Sequence, residues 1–142
     1  MVATPIGNME DITLRALRVL KEVDIIACED TRHSLPLLTH YEIKKPLVSY
    51  HGHSTPECAE HIAKRIQNGE NAAIVTDAGM PCISDPGEVL VRLCAKLGID
   101  VKVVPGPSAV ISALAVSGLN TSRFAFEGFL SVNKKQRYDH LE

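Results

Sequence analysis

The feature that most constrains the fold is a repeated alternation of short apolar runs with segments of helical period. The apolar runs cover residues 24–28, 46–50, 72–76 and 101–104. Between them, apolar residues recur three or four positions apart, the spacing that places side chains on one face of a helix. Strands joined through helices in this way form right-handed crossovers and a parallel sheet with helices on both faces. The sequence therefore predicts a three-layer α/β fold.

Capping residues mark several ends of the predicted helices. The helical stripes cover residues 12–23, 62–66, 90–97 and 110–115. Asp11 is the predicted N-cap of the first helix. Thr55 and Pro56 are predicted to begin the second helix, which Gly69 ends, because proline suits the first helical position and glycine the C-terminal end.

The two ends of the chain carry weaker patterns. Residues 1–3 are predicted to be the tail of a first strand, and alternating Phe124, Phe126 and Leu130 predict a last one. We expect residues 1–130 to form one α/β domain.

Charge and hydropathy exclude several classes of protein. The formal net charge of −2 argues against a strongly basic nucleic-acid module, although a local patch could still hold RNA. No apolar stretch approaches the roughly 20 residues that span a bilayer. The first residues lack the pattern of a secretory signal, which indicates the cytoplasm.

Cysteine and histidine spacing gives no metal or disulfide signal. The four cysteines lie far apart without a C-x-x-C pair, so we expect free thiols. His51 and His53 lie near Cys58 and His61, but this spacing matches no established zinc pattern. The sequence therefore predicts no metal site, and substrate contact or local hydrogen bonding is expected at His51.

Unusual residues concentrate in the loops that follow the predicted strands. These loops are rich in Gly, Pro or ionisable groups and cover residues 4–8, 29–32, 51–53, 77–81 and 105–108. The loops at the opposite strand ends are plain. Ligands of open parallel sheets bind beyond the carboxyl ends of the strands, so this edge is the candidate site. The chain lacks G-x-G-x-x-G and G-x-x-x-x-G-K-[ST], which argues against a Rossmann dinucleotide site and P-loop phosphoryl transfer.

Two of these loops offer groups for a polar ligand. The run Asp77-Ala78-Gly79 could hold ribose hydroxyls or other small polar groups, or could form an ordinary turn. Ser108 at a predicted helix start offers a hydroxyl and unpaired N–H donors to a carboxylate or phosphate. A simple N-cap is the alternative interpretation of Ser108.

The second loop carries adjacent carboxylates. Glu29 and Asp30 point to opposite faces if the chain is extended there. One of them could act as a general base or hold a cationic group. A structural ion pair between Asp30 and Arg32 is the alternative.

Six motifs occur in an order that resembles one family. They are residues 3–8 (ATPIGN), 29–32 (EDTR), 49–53 (SYHGH), 76–87 (TDAGMPCISDPG), 105–109 (PGPSA) and 126–130 (FEGFL). This order is similar to that of the rRNA-methylating members of the tetrapyrrole (corrin/porphyrin) methylase superfamily. The resemblance implies two α/β domains, usually in a homodimer, with residues 1–130 as the N-terminal domain and residues 131–142 as the start of a linker to the second domain. It also implies methyl transfer from S-adenosyl-L-methionine to the ribose 2′-hydroxyl of a cytidine in 16S rRNA of the small ribosomal subunit, without a metal.

The resemblance also implies site residues. The expected cofactor contacts, with Cys82 as a further candidate, are Pro5, Asp77, Ala78, Gly79, Ser108 and Ala109. The catalytic carboxylate suggested for related enzymes falls at Glu29 or Asp30, and His51 is expected toward the acceptor. Two alternatives stay open: methylation of a tetrapyrrole, and a binding or dimerisation module that is inactive by itself.

Overall fold

A computed structural model describes residues 1–52 and 56–141 and confirms the α/β class. The chain divides into two compact units, Met1–Ala109 and Val110–Glu142. The domain boundary expected after residue 130 stays a prediction. No helix within the described ranges is long and apolar enough to cross a membrane.

The first unit contains a three-stranded parallel sheet. Its strands are β1 (Ile25–Cys28), β2 (Leu47–Ser49) and β3 (Ala72–Val75), in the order β2-β1-β3. The helices of the described residues are α1 (Leu14–Glu22), α2 (Thr31–His40), α3 (Pro56–Gln67), α4 (Glu88–Lys96), α5 (Ala109–Val116) and α6 (Lys134–Leu141).

The central strand β1 shows why the fold has three layers. All four of its residues are buried, and successive side chains point to opposite faces of the sheet. Ile26 and Cys28 join a core cluster with apolar residues of α1 and α2. Ile25 and Ala27 join a second cluster with residues of α3 and α4. The predicted parallel sheet with helices on both faces is therefore confirmed.

The leading segment extends the sheet beyond β3. The backbone N–H of Val2 donates to the carbonyl of Ile74 at 2.9 Å, and Val2 forms a parallel bridge with Val104. The N–H of Val104 donates in turn to the carbonyl of Met1 at 2.8 Å. The segment predicted as a first strand therefore lies between β3 and Val104.

Two predicted strands are wrong. Residues 101–104 form only an isolated bridge at Val104, and Val101 and Val103 are exposed. Described residues 124–130 contain no strand, and Phe124, Phe126 and Leu130 are exposed. A run of apolar side chains does not form a strand unless its backbone pairs with a neighbouring strand over several residues.

The start of α1 differs from the prediction by two residues. The N-cap is Thr13, whose hydroxyl accepts from the backbone N–H of Ala16 at 3.0 Å. Asp11 instead lies in a short 3-10 helix, Met9–Asp11, that precedes α1. Pro56 is the first residue of α3 as predicted, whereas the proposed cap Thr55 lies outside the described residues.

Helix α2 was not predicted, and it matters for the site. Asp30 is its N-cap and accepts from the backbone N–H of Arg32 at 2.8 Å. Pro36 stands inside the helix, and proline normally signals a helix end. The helix forms nevertheless, because it packs on the core through the buried side chains of Leu37 and Leu38.

Replacing Thr13 with Ala is expected to lower the free energy of unfolding by about 1 kcal/mol, because the N–H of Ala16 loses its acceptor. Urea unfolding followed by circular dichroism measures the change. Thr13→Ser, which keeps the hydroxyl, is the matched control and is expected to stay near wild type. Equal losses in both variants would contradict the capping role.

Candidate functional site

The first and fourth loops are joined by their main chains at the carboxyl edge of the sheet. The N–H of Thr4 donates to the carbonyl of Gly79 at 2.9 Å, and the N–H of Gly79 donates back at 3.1 Å. The buried hydroxyl of Thr4 also donates to the carbonyl of Thr76 at 3.2 Å. Pro5 follows Thr4 and Asp77 follows Thr76, so these bonds bring Pro5 and Asp77 to the same edge.

The fifth loop packs against the other two through glycine. Gly79 has φ +85°, and a Cβ there would lie 3.4 Å from Ile6 Cγ2 and 3.8 Å from the carbonyl oxygen of Pro107. A Cβ at Gly106 would lie 2.9 Å from the Cβ of Ala3, closer than real Cβ atoms approach. Loops one, four and five therefore meet, as expected of residues at one edge of a parallel sheet.

A cleft of about 180 Å³ lies between the first loop, α2 and the fourth loop. Its lining comprises Thr4, Pro5, Gly7, Asn8, Met9, His33, Ser34, Leu37, Thr76 and Asp77. Thr76 is buried, and its hydroxyl has no hydrogen-bond partner among the described residues. A buried hydroxyl without a partner is costly, which makes this a candidate ligand contact.

A larger cavity of about 490 Å³ lies beside the opposite ends of the strands. Asn71, Ala72, Asp100 and Lys102 are among its lining residues. None of the candidate residues from the sequence lines it, so the smaller cleft is the better candidate for the site.

Helix α2 holds the carboxylate of Asp77 through two contacts. The backbone N–H of Asp30 donates to Oδ1 of Asp77 at 3.2 Å. Nδ1 of His33 lies 2.6 Å from Oδ2 of Asp77. The pKa of His33 is raised by its hydrogen bond to Asp77 and by the negative charges of Asp77 and Asp30. The positive end of the α2 dipole also favours a carboxylate here.

Asp30 forms an ion pair with Arg32, which is one of the two interpretations of Asp30 offered by the sequence. Nη2 of Arg32 lies 2.6 Å from Oδ2 of Asp30, and Nε lies 3.0 Å from Oδ1. The hydrogen bonds from the Arg32 side chain and backbone hold the pKa of Asp30 well below its usual range. A carboxylate with so low a pKa is a weak proton acceptor.

Glu29 has a different electrostatic environment. Burial raises the pKa of Glu29, and the negative charges of Asp77 and Asp85 raise it further. The backbone N–H of Asp77 and the charge of His33 offset part of this shift. The pKa of Asp85 is also raised by burial and by Asp77. Glu29, Asp77 and Asp85 therefore form an acidic group that suits a cationic or hydroxyl-bearing ligand.

The remaining candidates are more dispersed. His51 is exposed beyond β2, and His53 lies outside the described residues. Cys82 has φ +74°, and its sulfur packs against Gly87. Ser108 is half-buried, and Ala109 begins α5. Within residues 1–52 and 56–141, no three metal-ligating side chains cluster, and all four cysteines are free thiols.

Sequence analysis missed His33 because it missed α2. The signal was the pair Asp30-Thr31, a helix N-cap directly after a buried strand. A helix beginning there places His33 in its first turn, at the same sheet edge as Asp77.

Comparison with known proteins gives a consistent family. The profile of the Tetrapyrrole (Corrin/Porphyrin) Methylases matches residues 1–142. The chain is 50% identical, over its whole length and 50% of the relative, to Ribosomal RNA small subunit methyltransferase I of Pasteurella multocida. The protein of that name from Haemophilus influenzae is 52% identical with the same coverage. Its counterpart from Thermotoga maritima is 53% identical over 96% of this chain and 62% of the relative. The chain thus spans about half the length of most curated relatives it matches.

Proposed function

The chain belongs to the tetrapyrrole (corrin/porphyrin) methylase family, and from this we propose that the protein is an S-adenosyl-L-methionine-dependent rRNA methyltransferase. The proposed acceptor is the ribose 2′-hydroxyl of a cytidine in 16S rRNA. The activity is proposed for the protein at the full length of its relatives. The observation that carries the proposal is the mutual main-chain pairing of Thr4 and Gly79, which brings Pro5 and Asp77 to one edge.

The residues at this edge fit the chemical groups of the methyl donor. The carboxylate of Asp77 can accept from ribose hydroxyls or from an ammonium group. The start of α5 at Ser108 and Ala109 offers N–H donors to a carboxylate. Gly79, at φ +85°, lets the fourth loop pack closely on Ile6 and Pro107, near the Thr76 hydroxyl that has no partner within the described residues. Pro5 and Ala78 complete the proposed contacts, with Cys82 as a further candidate.

When bound, S-adenosyl-L-methionine supplies an electrophilic methyl group. The chain's own residues would orient donor and acceptor and exclude water, which supplies most of the catalysis in such a displacement. Glu29, Asp30 and His51 are proposed on the acceptor side. Of the carboxylates Glu29 and Asp30, Asp30 is the poorer proton acceptor, because Arg32 hydrogen-bonds to both of its oxygens.

Replacing Asp77 with Ala is expected to weaken S-adenosyl-L-methionine binding by at least about tenfold, because hydrogen bonds to a charged group contribute about 1.5–3 kcal/mol. Calorimetric titration of the full-length protein measures the dissociation constant. Asp100→Ala is the matched control, since Asp100 pairs with Lys102 at the opposite edge of the sheet. Unchanged affinity in the Asp77 variant would contradict the cofactor assignment.

The substrate is tested by methyl incorporation. Full-length protein and labelled donor are incubated with small ribosomal subunits from a strain that lacks the gene. Mass spectrometry of nuclease fragments then locates the methyl group. We expect label on a cytidine ribose of 16S rRNA, and label only on an added tetrapyrrole would overturn the RNA assignment.

The proposed location is the cytoplasm, where ribosomal subunits are assembled. The proposed assembly is a homodimer, which the family resemblance supports. Sedimentation equilibrium of the full-length protein tests it, and a monomer at micromolar concentration would contradict it.

A further inference from the structure

We propose that His33 is the proton acceptor of the methyl transfer, held in position by the carboxylate of Asp77. The inference rests on the proposed function and adds a residue that neither the sequence motifs nor the family resemblance singled out. It begins from the short contact of 2.6 Å between Nδ1 of His33 and Oδ2 of Asp77.

The contact fixes which nitrogen of His33 carries a proton. An ionised carboxylate only accepts hydrogen bonds, so Nδ1 must be the donor. In the neutral imidazole the second nitrogen, Nε2, is then unprotonated and can accept a proton. A histidine oriented through Nδ1 by an aspartate is the arrangement that general bases use in unrelated enzymes.

The position of His33 matches this role. It lies in the first turn of α2, and its side chain is 64% exposed. It lines the same cleft as Pro5, Asn8 and Asp77. Because Oδ1 of Asp77 also accepts from the backbone of Asp30, the carboxylate is held at both oxygens and can fix the ring.

The charges around His33 favour proton uptake. Asp77 and Asp30 raise the pKa of His33, whereas partial burial and the Arg32 guanidinium lower it. Glu29 belongs to the same group of charges, since His33 lowers the pKa of Glu29. A raised pKa makes the neutral imidazole a stronger base, and this base form accumulates as the pH rises through that pKa.

The methyl transfer forms one carbon–oxygen bond and breaks one sulfur–carbon bond. The acceptor hydroxyl oxygen forms a bond to the methyl carbon while the sulfur–methyl bond breaks, and its electron pair stays on sulfur as a thioether. The hydroxyl proton moves to Nε2 of His33 and gives an imidazolium next to the carboxylate of Asp77. Solvent then takes this proton, because the side chain is exposed.

The first test measures the pairing of His33 with Asp77 independently of catalytic activity. Carbon–proton NMR of the His33 ring across pH is compared in the wild-type protein and in Asp77→Asn. We expect the pKa of His33 to fall toward its ordinary value in the variant, because the carboxylate charge is gone. The same pKa in both proteins would overturn the pairing and the inference with it.

The second test separates base catalysis from positioning. In His33→Asn the side-chain amide can still donate to Asp77, but no nitrogen can accept a proton. We expect kcat of the full-length protein on 16S rRNA to fall by about 100-fold or more, with the donor dissociation constant within about threefold of wild type. The rise of kcat with pH is expected to disappear.

His40→Asn is the matched control, because His40 ends the same helix far from its first turn. It is expected to leave kcat unchanged. An active wild type with an equally active His33→Asn overturns the inference and leaves the proposed function intact. A full-length wild type that binds the donor and transfers no methyl group to rRNA overturns the proposed function, and the base assignment falls with it.

Discussion

Replacing Leu20 with Ala is expected to lower the free energy of unfolding by about 2–5 kcal/mol. Leu20 is 0% exposed and packs from α1 into the core cluster that contains Ile26 of β1. The smaller side chain removes apolar contacts and leaves a cavity that the sheet cannot fill by collapse. Urea denaturation with linear extrapolation measures the loss.

Leu14→Ala is the matched control on the same helix. Leu14 is 86% exposed, so the same chemical change removes little buried surface. We expect a change within about 0.5 kcal/mol. Similar losses at the two positions would show that α1 is not packed on the sheet by the Leu20 face.

Replacing Gly79 with Val is expected to weaken binding of S-adenosyl-L-methionine by more than about tenfold, or about 1.4 kcal/mol. A valine at φ +85° is strained, and its branches would meet Ile6 and the carbonyl of Pro107. The backbone of loop four is therefore expected to shift, which changes its packing against loops one and five. Calorimetric titration of the full-length protein measures the affinity.

Gly98→Val distinguishes damage at the site from general strain. Gly98 has φ +68° and follows α4, and a Cβ there would meet nothing within 4 Å. We expect this variant to lose stability from backbone strain while it binds the donor normally. Equal affinity in the two variants would show that the approach of the three loops does not control binding.

The fold was largely predictable because burial decides most of it. Strand β1 is apolar at every position, and the stripes at Leu20 and Leu90 have helical spacing, so local sequence and core packing agree. Where they disagree, prediction failed. Val101 and Val103 have the side chains of a strand, but the neighbouring segment pairs only at Val104. Long-range pairing of this kind leaves no local signal.

The site was predictable at the level of loops and less so at the level of side chains. Pro5 and Asp77 meet because parallel strands bring their carboxyl ends to one edge. The contact between Asp77 and His33 could not be predicted from the sequence, because the two residues are 44 positions apart. His33 also lies on α2, a helix that the sequence did not predict because it contains Pro36. Asp30 illustrates a local contact that spacing did suggest, its ion pair with Arg32.

The position of Val2 between Ile74 and Val104 determines which contacts can form early during synthesis of the chain. Val2 leaves the ribosome well before its hydrogen-bonding neighbours, because Ile74 and Val104 are made about 70 and about 100 codons later. Closing so long a span costs chain entropy and slows folding relative to local contacts. The pairing of Val2 with Val104 is therefore expected to form late, after the helices and inner strands, because it has to wait for the far segment to emerge.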